Sequence, residues 1–271
     1  MLRLSEIQLL GSVMELALIP DGKVLINTIN AHSYNTAQKD EAFAEALDTS
    51  YQNVNGNDNV NGNGNDNENG RKYLIPDGVA IVKACKWLKA KSQPKERIAG
   101  WDLFSFEMGR VNGLQFTVDG LQKGEGRKKV MFMGSSEKVL GLIRERCKVD
   151  YPNLEVVTYS PPYKTEFSEE ENRGIIRAIN EAKPDLLWIG MTAPKQEKWT
   201  WQHWSELDIN CHVGTIGAVF DFYAGTAKRA PLWWQRHGLE WLYRLLKEPK
   251  RMWRRYVIGN PLFVWNIVRE L

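Results

Sequence analysis

Short apolar runs alternate with stretches whose apolar residues fall three and four apart. "KVLINTI" (23–29), "YLIP" (73–76), "KKVMFMG" (128–134), "LEVVTYS" (154–160), "PDLLWIGM" (184–191) and a run within "INCHVGTIGAVFDFYAG" (209–225) each fit a buried strand. Helical spacing fills the intervals: "AHSYNTAQKDEAFAEAL" (31–47), the stretch after the Pro76-Asp77-Gly78 turn, a segment opening at Ser135 or Ser136 as N-cap, and "SEEENRGIIRAINEA" (168–182) with acids in its first turn. Strands that are apolar on both faces and alternate with helices predict an α/β, Rossmann-like, mostly parallel sheet with helices on both faces. This core spans 1–230. The stretch 209–225 reads as a strand entering a loop. From Pro231 the pattern turns wholly helical through "LWWQRHGLEWLYRLLKEPKRMWRRYVI", so 231–271 is expected to be a C-terminal helical appendage.

Composition changes this picture at two places. The formal charge is only +3 over 271 residues, but nine cations and two acids lie between Lys228 and Arg255, a window of +7, leaving −4 elsewhere. Charge this local argues against a general nucleic-acid binder and for an anionic partner met at one end of the molecule. Asn occupies every odd position in "NVNGNDNVNGNGNDNENG" (53–70), a tract too polar to bury surface and expected to be a disordered insertion. Cys85, Cys147 and Cys211 are widely spaced, suggest neither a disulfide framework nor a metal site, and fit a reducing compartment. Glu6 and Glu15 interrupt the N-terminal apolar runs, so the segment does not read as a signal peptide, and no apolar run is long enough to span a bilayer.

In an open α/β sheet, ligands bind beyond the carboxyl ends of the strands. The residues there are Thr28, Asn30, Asp77, Gly78, Gly134, Ser135, Thr192 to Gln196, and Gly217 to Asp221. They contain no His cluster and no Ser-His-Asp order; the chain has no GxxxxGK[ST] loop, no GxGxxG and no DxD. Asp77 can serve as general base toward an attacking hydroxyl. It can equally be the Asp of an ordinary Pro-Asp-Gly turn. Asn30 can be a ligand or an N-cap, and Gln196 can hydrogen-bond a sugar or begin a solvated helix.

"NTINAHSYNTAQKD", "IPDGVAIVKACKWL", "RIAGWDLF", "PDLLWIGMTAPKQEKW" and "GAVFDFYAGTAKRAPLWWQRHGLEWLYRLLKEPKRMWRRY" together resemble the WecG/TagA/CpsF family of bacterial glycosyltransferases, in order and over nearly the whole chain apart from the Asn-rich tract. The resemblance implies transfer of a sugar from a UDP-sugar donor to a polyprenyl-diphosphate-linked sugar acceptor, with inversion and without a metal or other cofactor, in synthesis of a surface polysaccharide. It implies Asp77 as base, Thr28, Asn30 and Gln196 as substrate contacts, and Arg244, Arg251 and Arg254 as ligands of the acceptor diphosphate. Gly78, Gly134, Ser135, Gly217 and Asp221 complete the expected substrate edge. Also implied are a cytoplasmic chain held peripherally at the inner face of the plasma membrane, and a homo-oligomer that gives way to a monomer when the appendage meets lipid. Basic residues near an anionic leaflet, about 1 kcal/mol each, and interfacial Trp and Tyr suit that role. The donor stays open among glucose, N-acetylmannosamine and its uronic acid. The rival readings are a nucleotide-sugar-binding accessory protein without chemistry, and a nucleic-acid binder.

Overall fold

The computed structural model describes residues 1–51, 71–113 and 127–271. The Asn-rich tract therefore lies outside the described residues. In chain order the elements are β1 (Val24–Ile29), α1 (Ala31–Ala37), α2 (Glu41–Leu47), β2 (Arg71–Pro76), α3 (Val79–Trp87), α4 (Gly100–Val111), β3 (Lys128–Gly134), α5 (Glu137–Asp150), β4 (Leu154–Tyr159), α6 (Glu169–Ala182), β5 (Leu186–Gly190), α7 (Lys195–Gln202), β6 (His212–Thr215), α8 (Gly217–Ala224), α9 (Leu232–Arg236), α10 (Glu240–Lys247), α11 (Pro249–Trp253), a π-helical turn (Arg254–Ile258) and α12 (Gly259–Glu270).

The six strands form one sheet in the order β2-β1-β6-β5-β3-β4, and every pairing is parallel. A parallel sheet must be covered on both faces. Side-chain alternation delivers this. Val24, Ile26, Val130, Phe132, Leu186 and Trp188 pack with α4, α5 and α8 on one face. On the other, Leu25, Met131, Met133, Leu187, Ile189 and Val213 pack with α6 and α7. A third cluster gathers around α1, α2 and α3, with Leu2, Leu4, Ile7 and Leu9 of the N-terminal segment and Phe263 and Ile267 of α12. The N-terminal apolar residues are thus core, and α12 returns to that core after the rest of the appendage.

Local chemistry explains several boundaries that periodicity misses. The stretch 31–47 is two helices, because Asp40 caps a new one by accepting from the Phe43 N–H at 3.0 Å. Ser136, not Ser135, caps α5. Ser168 and Glu171 form a capping box at α6. The residues after β6 are helical from Gly217 onward, which corrects the expected loop: His212–Thr215 is a four-residue strand that turns at once into α8. Cys211 and His212 are buried, as core residues should be. The long helical run after Pro231 is broken into pieces, with Gly238 at φ +68 separating α9 from α10 and Pro249 opening α11.

Candidate active site

The carboxyl edge of the sheet gathers most of the expected residues. β1 and β2 run in register, Thr28 beside Ile75 and Ile29 beside Pro76. The Asp77 N–H donates to the Ile29 carbonyl at 2.8 Å, so Asp77 and Asn30 leave adjacent strand ends together. A Cβ built on Gly78 would sit 3.8 Å from the Asn30 Cβ. Thr28 is half-buried at the end of β1. Asn30 caps α1: its Oδ1 accepts from the His32 and Ser33 N–H groups at 3.0 and 3.1 Å, and its own N–H donates to Ser33 Oγ at 2.7 Å. The cap reading of Asn30 is therefore real, and it holds Asn30 rigidly beside Asp77.

Farther along the edge, Gln196 is buried and bridges two loops. Its Oε1 accepts from the Met191 N–H at 3.1 Å and the Gly217 N–H at 3.2 Å, while its Nε2 donates to Glu197 Oε1 at 2.8 Å. Gln196 thus joins the end of β5 to the start of α8. Gly217 makes the bridge possible, since a Cβ there would fall 2.2 Å from the Met191 carbonyl oxygen. Gly134, at φ +114, lies so close to Gly190 that a Cβ would be 2.4 Å from its carbonyl oxygen. Ser135 follows in the left-handed region at φ +58, and its carbonyl accepts from the Ser160 hydroxyl at 2.8 Å. Asp221 sits one turn into α8, exposed, with its carboxylate accepting from Thr226 Oγ1 at 3.1 Å. It lies farther from the strand ends than a loop residue would.

Asp77 carries the electrostatic signature of the site. Burial pushes its carboxyl up to about 6, and the negative charge of Glu240 pushes the same way; Arg97, Arg255 and Arg244 oppose them. Asp77 as a residue is half-buried at this edge. His32, near Arg255, is lowered to about 4 by desolvation and then by that guanidinium, so it is neutral wherever Asp77 titrates. Glu197, fully buried, is pushed up to about 7 by desolvation, and its Oε2 has no hydrogen-bond partner among the described residues.

The appendage arginines separate into two groups. Arg244 is half-buried and lies within the field of Asp77, whereas Arg251 is exposed and paired with Glu248 at 2.8 Å, and Arg254 is exposed against the Trp253 ring. Arg255 lies inward. Its Nε is shielded from solvent and has no partner among the described residues, and its charge acts on both Asp77 and His32. The π-helical turn that begins at Arg254 shifts the helix register here, a feature often found at functional sites. The sequence assigns no separate role to Arg97, Arg229, Glu240 or Arg255. The signal was present in "RIAGWDLF" and "GLEWLYR", but nothing in either stretch says that the two segments meet.

A parallel sheet that holds a buried-edge carboxyl, Asp77, within the field of three guanidinium groups at its carboxyl edge has the charge pattern of a site for an anionic ligand. Comparison narrows the class. The glycosyl transferase WecG/TagA/CpsF family matches the chain over residues 66–271, and the chain belongs to that family; it is a glycosyltransferase. It is 30% identical over 198 residues, 73% of this chain and 68% of the relative, to the N-acetylglucosaminyldiphosphoundecaprenol N-acetyl-β-D-mannosaminyltransferase of Bacillus spizizenii. The enzyme of that name in Bacillus subtilis strain 168 is 26% identical over 87% of this chain and 78% of its own, and that of Staphylococcus aureus strain MW2 is 28% identical over 73% and 69%. No helix among the described residues is long and apolar enough to cross a membrane.

Proposed function

We propose that this chain transfers a sugar from a UDP-sugar to a polyprenyl-diphosphate-linked N-acetylglucosamine, with N-acetylmannosamine as the first donor to test, in assembly of a bacterial surface polysaccharide. The observation that carries the reading is Asp77: a carboxyl raised to about 6, on the ligand edge of the sheet, with arginines from both core and appendage around it. Asp77 takes the proton of the acceptor hydroxyl as its oxygen attacks the anomeric carbon. The bond from that carbon to UDP breaks, and UDP leaves with the electron pair. A single displacement at an α-linked donor gives a β product, and the names of the relatives specify a β-D-mannosaminyl product. Arg97, Arg244 and Arg255 stand where they can balance charge on a diphosphate, which is the task a metal performs in other transferases. Thr28, Asn30 and the edge from Gly134 to Gly217 remain the proposed donor contacts. Arg251 and Arg254, facing outward, are assigned to the acceptor's headgroup side.

The appendage has the surface for this acceptor. Trp233, Leu246, Trp253, Val257, Ile258 and Trp265 are all exposed, among the exposed cations Lys247, Lys250, Arg251 and Arg254. Apolar and cationic groups side by side suit an anionic lipid surface, so the chain is proposed to sit peripherally at the inner leaflet, where nucleotide sugars are available. Paired Trp253→Ala and Trp265→Ala substitutions are expected to lower co-sedimentation with vesicles containing anionic lipid at least fivefold; unchanged binding would remove this surface from the account.

Release of UDP from a panel of UDP-sugars, in EDTA and with a short-chain polyprenyl-diphosphate N-acetylglucosamine, tests the function. Acceptor-dependent release from one donor is the expected result. Release that EDTA abolishes would replace the arginine account with a metal. The rate should fall on the acid side with an apparent pKa near 6, since Asp77 must be ionised to act. Glu197→Gln should leave that limb in place; if it moves the limb instead, the titration belongs to Glu197.

A further inference from the structure

Gly238, Leu239 and Glu240 lead into α10 directly over the catalytic turn. At Gly238, φ is +68, and a Cβ would lie 3.0 Å from Val79 Cγ2. Val79 opens α3 two residues after Asp77. On the core side, the Ile98 N–H donates to the Pro76 carbonyl at 3.0 Å, so Arg97 and Asp77 extend from neighbouring points of one backbone junction. Glu240 reaches between these parts. Its Oε2 accepts from Arg97 Nη1 at 3.1 Å, and its Oε1 lies 3.7 Å from Arg229 Nε. The three side chains are only about one-fifth exposed, 21%, 20% and 19% for Arg97, Arg229 and Glu240. An ion triad this shielded differs from a surface pair: removing one partner strands the others.

We propose that Glu240 is a positioning residue for the transfer reaction, holding Arg97 and Arg229 at the mouth of the site and seating α10 over the Asp77 turn. Its effect on catalysis rests on the function proposed above; its effect on α10 does not. The geometry gives Glu240 two actions. It fixes two guanidinium groups that would otherwise repel each other. Its charge also acts on Asp77, keeping that carboxylate basic against Arg97, Arg255 and Arg244, while Arg229 is paired with Glu240 itself and His32 is neutral.

Glu240→Gln keeps the shape and removes the charge. Arg97 then acts on Asp77 without its counter-anion, and Asp77 becomes a weaker base. Turnover should fall about 10- to 100-fold with a smaller change in KM for the donor, and the acid limb should move down by about half to one pH unit. Glu240→Asp should restore part of the rate and return the limb toward the wild-type position. A side chain that merely packs would lower rate and stability without moving the limb, so a limb that stays put in a less active Glu240→Gln overturns the electrostatic role. Hydrogen exchange on the full chain without substrate reads the seating separately: amides of 240–247 should exchange at least tenfold faster in Glu240→Gln, with β1, β3 and β5 unchanged. Exchange of α10 equal to wild type overturns the proposal. Should wild-type protein release no UDP with any donor, the assigned reaction falls, and exchange in α10 still decides the role of Glu240.

Discussion

Asp77→Asn is expected to lose about three orders of magnitude in turnover while becoming more stable at pH 8. The loss follows from the role: an amide cannot take a proton from the acceptor hydroxyl, and a positioned base contributes about 10²- to 10⁴-fold. The gain follows from linkage. The folded-state carboxyl is raised to about 6 from an ordinary 3.8, so the fold favours the neutral form. The charged form therefore costs stability, a cost absent below about pH 4 and complete above about pH 6. Because Asp77 is a half-buried residue whose charge solvent screens in part, the cost is about 1 kcal/mol, less than the full shift would give. Thermal melts of wild type and variant at pH 4 and pH 8 should thus converge at the lower pH and separate at the higher, with the variant above. A variant less stable than wild type at pH 8 would mean that Asp77 is held by the arginines as a structural ion, not kept as a base.

Gly217→Ala should be strongly destabilising, because it breaks the bridge at the sheet edge. The new methyl would lie 2.2 Å from the Met191 carbonyl oxygen and 2.8 Å from Gln196 Oε1. Neither can simply retreat. The Met191 N–H and the Gly217 N–H both donate to that same Gln196 oxygen, so moving it breaks the bridge between β5 and α8. A cost of about 3 kcal/mol or more is expected, a fall in Tm of roughly 6–12 °C for a chain this size. Gly109→Ala is the control. It also lies in a helix, but nothing stands within 4 Å of the added methyl, so it should stabilise by about 0.5–1 kcal/mol. Equal effects from the two substitutions would show that the close approach at Gly217 relaxes freely.

How much of this the sequence carries depends on the range of the interaction. Local patterns transmit well: β3 from Val130 onward and all of β5 are buried on both faces because no polar side chain interrupts them, and the acids after Ser168 mark α6 by its cap. The pattern does not mark Gly100–Val111, a full helix, α4, because its apolar spacing is interrupted by Ser105, Glu107 and Gly109. At the site, Asp77, Thr28 and Asn30 could be placed because each lies at or just past the carboxyl end of a strand. Arg97 and Glu240 could not, since their meaning lies in a contact across 143 residues. The inward turn of Arg255 was equally hidden, because ordinary helical spacing does not anticipate the π-helical turn that begins at Arg254. Gln196 shows the reverse limit: its position was legible, but not that its amide is engaged by the protein's own backbone.

The most direct test of the account is mass spectrometry of the acceptor lipid after incubation with UDP-N-acetylmannosamine, comparing wild type with Asp77→Asn in EDTA. The account predicts that wild type adds one N-acetylhexosamine to the polyprenyl-diphosphate N-acetylglucosamine and that the variant leaves it unextended. An acceptor that gains no sugar from any UDP donor with folded, vesicle-bound wild type, or one extended as fast by the variant, would contradict it.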